Sequence, residues 1–280
     1  MTLPPPNPAL RACVVVPARD EEALIGACLR ALATQTAVAP YEYEVLLVLD
    51  HCTDETEARA REIAAAHPSL RLRFVDGPGE DSGPARRVGM DEGCARLLQV
   101  GRPEGLVGCT DADTVVAPDW LAAQLRAVSE GAQAIGGRIE LADDDSLPER
   151  VARRHAEHGR LRHERLLSDP GRLGRAEHWQ FSGASLALTA EVYREVGGLE
   201  PLTALEDEGL ERILCQHGIS IQRLLSVRVT TSPRLEGRAK QGLSYDLARI
   251  ALSLQTHEAG YYESAPTSNG KTSPAGPRRV

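Results

Sequence analysis

Five short apolar runs recur between residues 12 and 141, and a helical pattern follows each of the first four. The runs are ACVVVPA (12–18), YEVLLVLD (43–50), LRLRFVD (70–76), GLVGCTDAD (105–113) and AIGGRIEL (134–141). The first is an unbroken apolar stretch, which suits a strand buried on both faces. Between the first two, Leu24, Ile25, Cys28, Leu29 and Leu32 fall on one helical stripe. Thr53 and Asp54 mark the start of a second helix that runs to Ala66, and Asp54 is read as its cap. A Gly-rich turn and a helix over 84–98 follow, and Pro118 opens another over 118–129. Strand–helix alternation at this spacing predicts βαβ units, hence an α/β fold with a mainly parallel sheet flanked by helices. In such sheets ligands bind at the carboxyl ends of the strands. Asp50, Asp111 and Asp113 all lie there.

After residue 145 the pattern changes. A charge-rich helical stretch covers 148–168. Residues 181–198 read as loop, short strand, helix and Gly stop, and 205–218 as a helix with its own Gly stop. The run 219–232 is strand-like and 238–255 is helical. One domain over 11–263 is expected, with a nucleotide-type half (11–140) and a C-terminal elaboration (141–263). Residues 1–10, rich in Pro, are expected to be unstructured, and 264–280 to be a disordered tail.

Composition narrows the function classes. Apolar residues at 42% and charged residues at 26% suit a soluble globular protein. The net charge is −8, and the tail holds three positive charges and no acid, so the remainder stands at −11. That argues against nucleic acid as a partner. No apolar run approaches the roughly 18 residues of a membrane span, and no secretory signal is visible. The six cysteines include no CxxC pair, and reduced thiols in a cytoplasmic protein are expected. Arg238 and Lys240 near the start of the last helix would suit a peripheral position at the inner face of a membrane.

Four elements could carry chemistry. Thr110-Asp111-Ala112-Asp113-Thr114 puts two carboxylates just past a buried strand, where they can reach a hard divalent cation. A strand-end turn would also use Asp there. Asp50 closes the second strand, where a carboxylate can accept from a base or a ribose. In GEDSGPARRVG (79–89), Arg86 and Arg87 sit on the first turn of a helix and suit phosphate oxygens, although one of them is expected only to face solvent. Glu206-Asp207-Glu208 offers a general base in a cleft, or acids that complement a helix N-terminus. His155, His158 and His163 lie among Arg and Glu without zinc spacing and read as a solvated face. His178 and Trp179 precede the 181–198 segment, and Trp179 could stack on a sugar or lid the core.

In this order and spacing, over roughly residues 11–235, the chain resembles the GT-A glycosyltransferases, and non-processive glycosyltransferase family 2 in particular. The family opening V-x-V-P-x-x-N-E-E corresponds to Val14 through Glu22, with Asp20 for Asn. D-D-G-S-x-D-x-T corresponds to Leu49 through Thr56, with Leu49 for the first Asp. A-R-N-x-G corresponds to Ala85-Arg86-Arg87-Val88-Gly89, the metal motif to Asp111-Ala112-Asp113, G-A-N to Gly183-Ala184-Ser185, and E-D to Glu206-Asp207. The Q-x-x-R-W signature of processive synthases does not follow.

The resemblance implies metal-dependent, inverting transfer from a UDP- or GDP-sugar to a hydroxyl acceptor. Residues 11–140 would bind the nucleotide sugar and 141–263 the acceptor. Pro17, Asp20, Glu22 and Asp50 would line the nucleoside pocket, Arg86 would reach the base or diphosphate, and Asp111 the ribose. Asp113, with Asp111, would hold Mg²⁺ or Mn²⁺. Gly183, Ala184, Trp179 and Glu206 would shape the substrate site, Arg234 would touch phosphate, and Asp207 would be the catalytic base. The third metal ligand is open; His217 is a candidate, but it also suits its own helix C-terminus. A homodimer stays open too. Rival readings are a retaining transferase similar to the glucosyl-3-phosphoglycerate synthases, a sugar nucleotidyltransferase, and a non-catalytic binding protein. The acidic Ala18-to-Glu22 stretch counts against the nucleotidyltransferase, which wants a Gly-rich basic loop there.

Overall fold

The computed structural model describes residues 3–263 apart from 81, 144–145, 170–173, 201, 203–205 and 238–241, with the side chains of 256–263 also excepted. In chain order the elements are β1 (Ala12–Ala18), α1 (Ile25–Ala33), β2 (Tyr43–Leu49), α2 (Thr56–Ala66), β3 (Leu72–Asp76), α3 (Ser82–Gln99), β4 (Leu106–Cys109), β5 (Thr114–Val116), α4 (Trp120–Ser129), β6 (Ala134–Leu141), α5 (Glu149–Ser168), β7 (Leu186–Thr189), α6 (Ala190–Glu195), α7 (Glu206–Gln216), β8 (Ile221–Thr231) and α8 (Leu243–Glu263). Among the described residues the strands form one eight-stranded sheet, ordered β3-β2-β1-β4-β7-β6-β8-β5. The expected α/β fold of the GT-A type, a mostly parallel sheet flanked by helices, is what forms.

The apolar runs build the parallel half. β1 pairs in parallel with β2 and β4, with Val14 opposite Val45 and Gly108. Alternation along β1 sends Val14 and Val16 to one face and Cys13 and Val15 to the other, and both faces are covered. On the first face, the α1 stripe of Ile25, Cys28, Leu29 and Leu32 is fully buried. Each such Leu or Ile contributes roughly 1.5–3 kcal/mol by leaving water. On the second face α3 lies close to the sheet at Gly89, where a Cβ would come within 2.3 Å of Val15 Cγ1. The two layers together form the core.

The second half is less regular. β7 runs antiparallel between β4 and β6, and β8 pairs in parallel with β6 across a register shift at Gly137/Arg138. The fourth apolar run does not continue as a strand to 113. β4 ends at Cys109, and the acids follow on a loop before β5, which pairs antiparallel with β8. Residues 3–10, expected to be unstructured, form no helix or strand but lie against the body. Leu10 is fully buried, and Pro4 O accepts from Arg96 Nη2 at 3.0 Å. The expected tail (264–280), Arg238 and Lys240 lie outside the described residues. Among the described residues, no helix is long and apolar enough to cross a membrane.

Candidate active site

The carboxyl ends of β1, β2 and β4 open into a cleft of 1660 Å³. Pro17, Asp20 and Glu21 reach it from the end of β1, Asp50 from β2, and Asp111 and Asp113 from the loop after β4. The loop before β7 brings Gly183 and Ala184, the first turn of α7 brings Glu206 and Asp207, and the segment after β8 brings Arg234. Trp179 lines the wall of the cleft, half-buried, with the Arg162 guanidinium 4.7 Å from its ring centre. Acids as far apart in sequence as Asp20 and Asp207 therefore face one cavity.

Arg86 ties three of these segments together. It projects from the second turn of α3, since the helix begins at Ser82 rather than 84. Its Nε donates to Glu206 Oε1 at 3.0 Å, Nη1 and Nη2 donate to Asp111 Oδ1 at 3.1 Å, and Nη1 also donates to Gly183 O at 3.1 Å. The guanidinium is buried and engaged with protein, and it also lines the cleft, where its expected contact with base or diphosphate would lie. Its neighbour Arg87 pairs with Asp91 and donates to Leu199 O. Gly183 permits the tie. A Cβ there would come within 2.4 Å of the Arg86 guanidinium carbon. The Gly183 N–H donates to Asp207 Oδ2 at 3.3 Å, and Asp207 Oδ1 accepts from the Glu208 N–H at 2.9 Å. Both Asp207 oxygens are thus oriented by backbone, which is what fixes a carboxylate at a site.

Asp113 sits deeper. Thr114 and Thr231 hydroxyls point at its Oδ1 at 3.3 and 3.5 Å, and Arg234 Nη2 lies 2.7 Å from its Oδ2. Burial, then the charge of Asp111, pushes its carboxyl above the usual carboxylate range, against the pull of Arg234. Arg234 also grips Glu21 with two hydrogen bonds of 3.1 and 2.7 Å. Glu21, Asp111 and Asp113 crowd together beside the guanidinium groups of Arg86 and Arg234, and such hard oxygens fit a divalent cation better than any soft-metal set. Asp111, a third exposed, and Asp113 would supply the protein's oxygens. Among the described residues no third His, Cys, Asp or Glu joins them in a metal-binding cluster. His217, on the exposed end of α7, faces Glu195 instead.

At the other end of the cleft, Asp50 is buried. Its Oδ1 accepts from the Gly79 N–H at 2.6 Å, and its Oδ2 has no hydrogen-bond partner among the described residues. Asp20 and His51 hold left-handed backbone (φ 51° and 54°) at the ends of β1 and β2. The Thr53 N–H, at 2.6 Å, holds the Asp20 carboxyl below its usual range. Glu22 is a correction. It is exposed and off the cleft, accepting from the Glu55 N–H while its own N–H donates to Asp54. Its neighbour Glu21 is the one that lines the cavity. Asp54 itself receives the Thr56 N–H at the start of α2, the capping role expected of it. Of the three histidines on α5, His163 bonds Ala176 O, and His155 lines the cleft without a metal-binding partner set among the described residues.

The sequence profile of the family described as glycosyltransferase like family 2 matches residues 8–243. The chain belongs to that family. It is a glycosyltransferase. No curated protein matches its sequence. Among solved structures, S. aureus TarS 1–349 in complex with UDP-GlcNAc is 17% identical with a TM-score of 0.60, over 88% of this chain and 66% of that one. The mannosyltransferase PcManGT from Pyrobaculum calidifontis, in complex with GDP-Man and Mn²⁺, is 21% identical with a TM-score of 0.60, over 93% and 67%. This glycosyltransferase thus spans about two thirds of the length of each. At these identities the likeness shows the GT-A fold alone.

Proposed function

We propose that this glycosyltransferase moves a sugar from a nucleoside diphosphate to a hydroxyl acceptor with inversion, and that a divalent cation assists. One observation carries the reading: Asp111 and Asp113 on one side and Asp207 on another face the same cleft, and Arg86 and Gly183 join the segments that bear them. The nucleotide-sugar complexes of TarS and PcManGT, and the Mn²⁺ of the latter, support it by fold analogy.

In this mechanism Asp50 receives a base N–H on Oδ2, which makes no hydrogen bond among the described residues and has Arg19 Nη1 3.8 Å away, and the backbone turn at Asp20 closes the nucleoside end. Asp111 and Asp113 would hold the cation, which when bound offsets the charge growing on the departing diphosphate. Asp207 takes the proton from the acceptor hydroxyl as that oxygen attacks the anomeric carbon, so a single displacement inverts the centre. Gly183 N–H and Glu208 N–H keep the Asp207 carboxylate pointed while it does so. Trp179 offers an apolar face to a sugar ring. The six cysteines, all unpaired, support a cytoplasmic setting.

A thermal-shift screen of UDP- and GDP-sugars, with and without Mn²⁺, tests the reading. A donor that binds the folded state raises the melting temperature by mass action, and more so with the cation. No shift with any donor sinks it.

A further inference from the structure

Arg234 occupies an unusual place. It lies three residues past β8, and its side chain reaches back into the acid cluster at the ends of β1 and β4. Both Glu21 oxygens are taken, and Asp113 Oδ2 lies 2.7 Å away. Glu21, Asp111 and Asp113 all act on its charge. A guanidinium therefore sits against the carboxylate oxygen that a divalent cation would use. Two cations cannot share that oxygen in a half-buried cleft without strong repulsion.

The surroundings allow the side chain to leave without moving the strand. Ser232 N–H donates to Asp113 O at 3.2 Å, and the Thr231 hydroxyl is 2.8 Å from that of Thr114, so the backbone before Arg234 is pinned beside the acid loop. The guanidinium itself is incompletely satisfied: its Nε is buried with no hydrogen-bond partner among the described residues. It is long enough to swing while its backbone stays, and its fork suits phosphate oxygens.

Resting on the glycosyl-transfer reading above, we propose that Arg234 is a resident counter-cation of Asp113 that the donor's divalent cation displaces. In the donor-free enzyme it neutralises Glu21 and Asp113 and keeps the cation out. Once the cation takes Asp113, the guanidinium turns to the diphosphate. Metal and donor then bind together, because each removes an obstacle to the other.

The test is Mn²⁺ binding, read by electron paramagnetic resonance of the free ion, on the full chain without nucleotide. Arg234→Gln is expected to bind Mn²⁺ about tenfold more tightly than wild type, since the competing charge is gone. Arg234→Lys, which cannot fork onto two carboxylates, is expected to fall between them, and it carries the test should the Gln variant not fold. Arg19→Gln, in the same cleft but paired with Asp50, controls for net charge and is expected to change Mn²⁺ affinity by about twofold at most in 0.15 M salt. With Mn²⁺ saturating, Arg234→Gln should bind GDP and UDP more weakly than wild type. Equal Mn²⁺ affinity in wild type and both Arg234 variants, where added GDP or UDP still promotes Mn²⁺ binding, overturns the proposal alone. No Mn²⁺ binding by any of them, with or without nucleotide, overturns it together with the metal role of Asp113.

Discussion

Arg86 Nε lies 3.0 Å from Glu206 Oε1, a buried ion pair between residues 120 positions apart. It joins α3 to the first turn of α7, where Asp207 stands. Removing one partner leaves the other charged and buried, which costs about 3–5 kcal/mol. Arg86→Ala is therefore expected to lower stability in denaturant unfolding by about that much. Gly183→Ala is the gentler probe. Its Cβ would meet the Arg86 guanidinium at 2.4 Å and push it off Asp111, at a cost of about 1–3 kcal/mol. Wild-type stability for Gly183→Ala would contradict the arrangement.

Asp207→Asn separates chemistry from binding. The Asn oxygen still accepts one of the two backbone N–H groups, so the loop before β7 stays in place. The basic lone pair is gone. Turnover is expected to fall about 10²–10⁴-fold, with donor affinity changed by about twofold at most. Single-turnover kinetics with calorimetry on the same preparation would show the split. Turnover within a factor of about ten of wild type would remove Asp207 as the base.

What could be read from the sequence was what local pattern controls. β1 and β2 announce themselves because they are buried on both faces and so are almost wholly apolar, with Glu44 the exception, paired with Arg96. The positions of Asp50, Asp111 and Asp113 follow from where those runs stop. β5 stayed hidden because three residues carry no period and its partner β8 lies more than a hundred residues away. The choice between Glu21 and Glu22 depended on the left-handed turn at Asp20, which rotates the following residues and which no composition reveals. Arg86 and Arg234 were both visible as candidate phosphate contacts. Their partners, Glu206 and Glu21, lie 120 and 213 positions away, and only the folded chain brings those charges within reach.

Asp50 offers one oxygen to Gly79, and the other makes no hydrogen bond among the described residues and lies 3.8 Å from Arg19 Nη1. A base N–H placed there would gain a charge-assisted hydrogen bond. Asp50→Asn is expected to weaken UDP or GDP binding by about ten- to a hundredfold, the scale of one such bond. Mn²⁺ binding alone should not change, since Asp50 stands at the end of β2 and Asp113 on the loop after β4, with β1 between those strands. Calorimetric titration checks both, and unaltered nucleotide affinity would take Asp50 out of the base pocket.

His178 makes stability depend on pH. It is buried before the loop that carries Gly183, its Nδ1 accepts from the Gln180 N–H at 3.1 Å, and burial pulls its pKa down to about 4. In the unfolded chain the same imidazole titrates near 6.5. Above about pH 6.5 it is neutral in both states and costs nothing. Between that pH and about 4 the unfolded chain binds the proton and the folded one does not, so stability falls as the solution is acidified. The loss is on the order of 2–3 kcal/mol across that window. His178→Asn keeps an acceptor for the Gln180 N–H and cannot titrate. Its melting temperature, compared with wild type from pH 7.5 to 4.5, should fall less steeply. Parallel curves would mean that the imidazole is solvated enough to protonate in the folded protein.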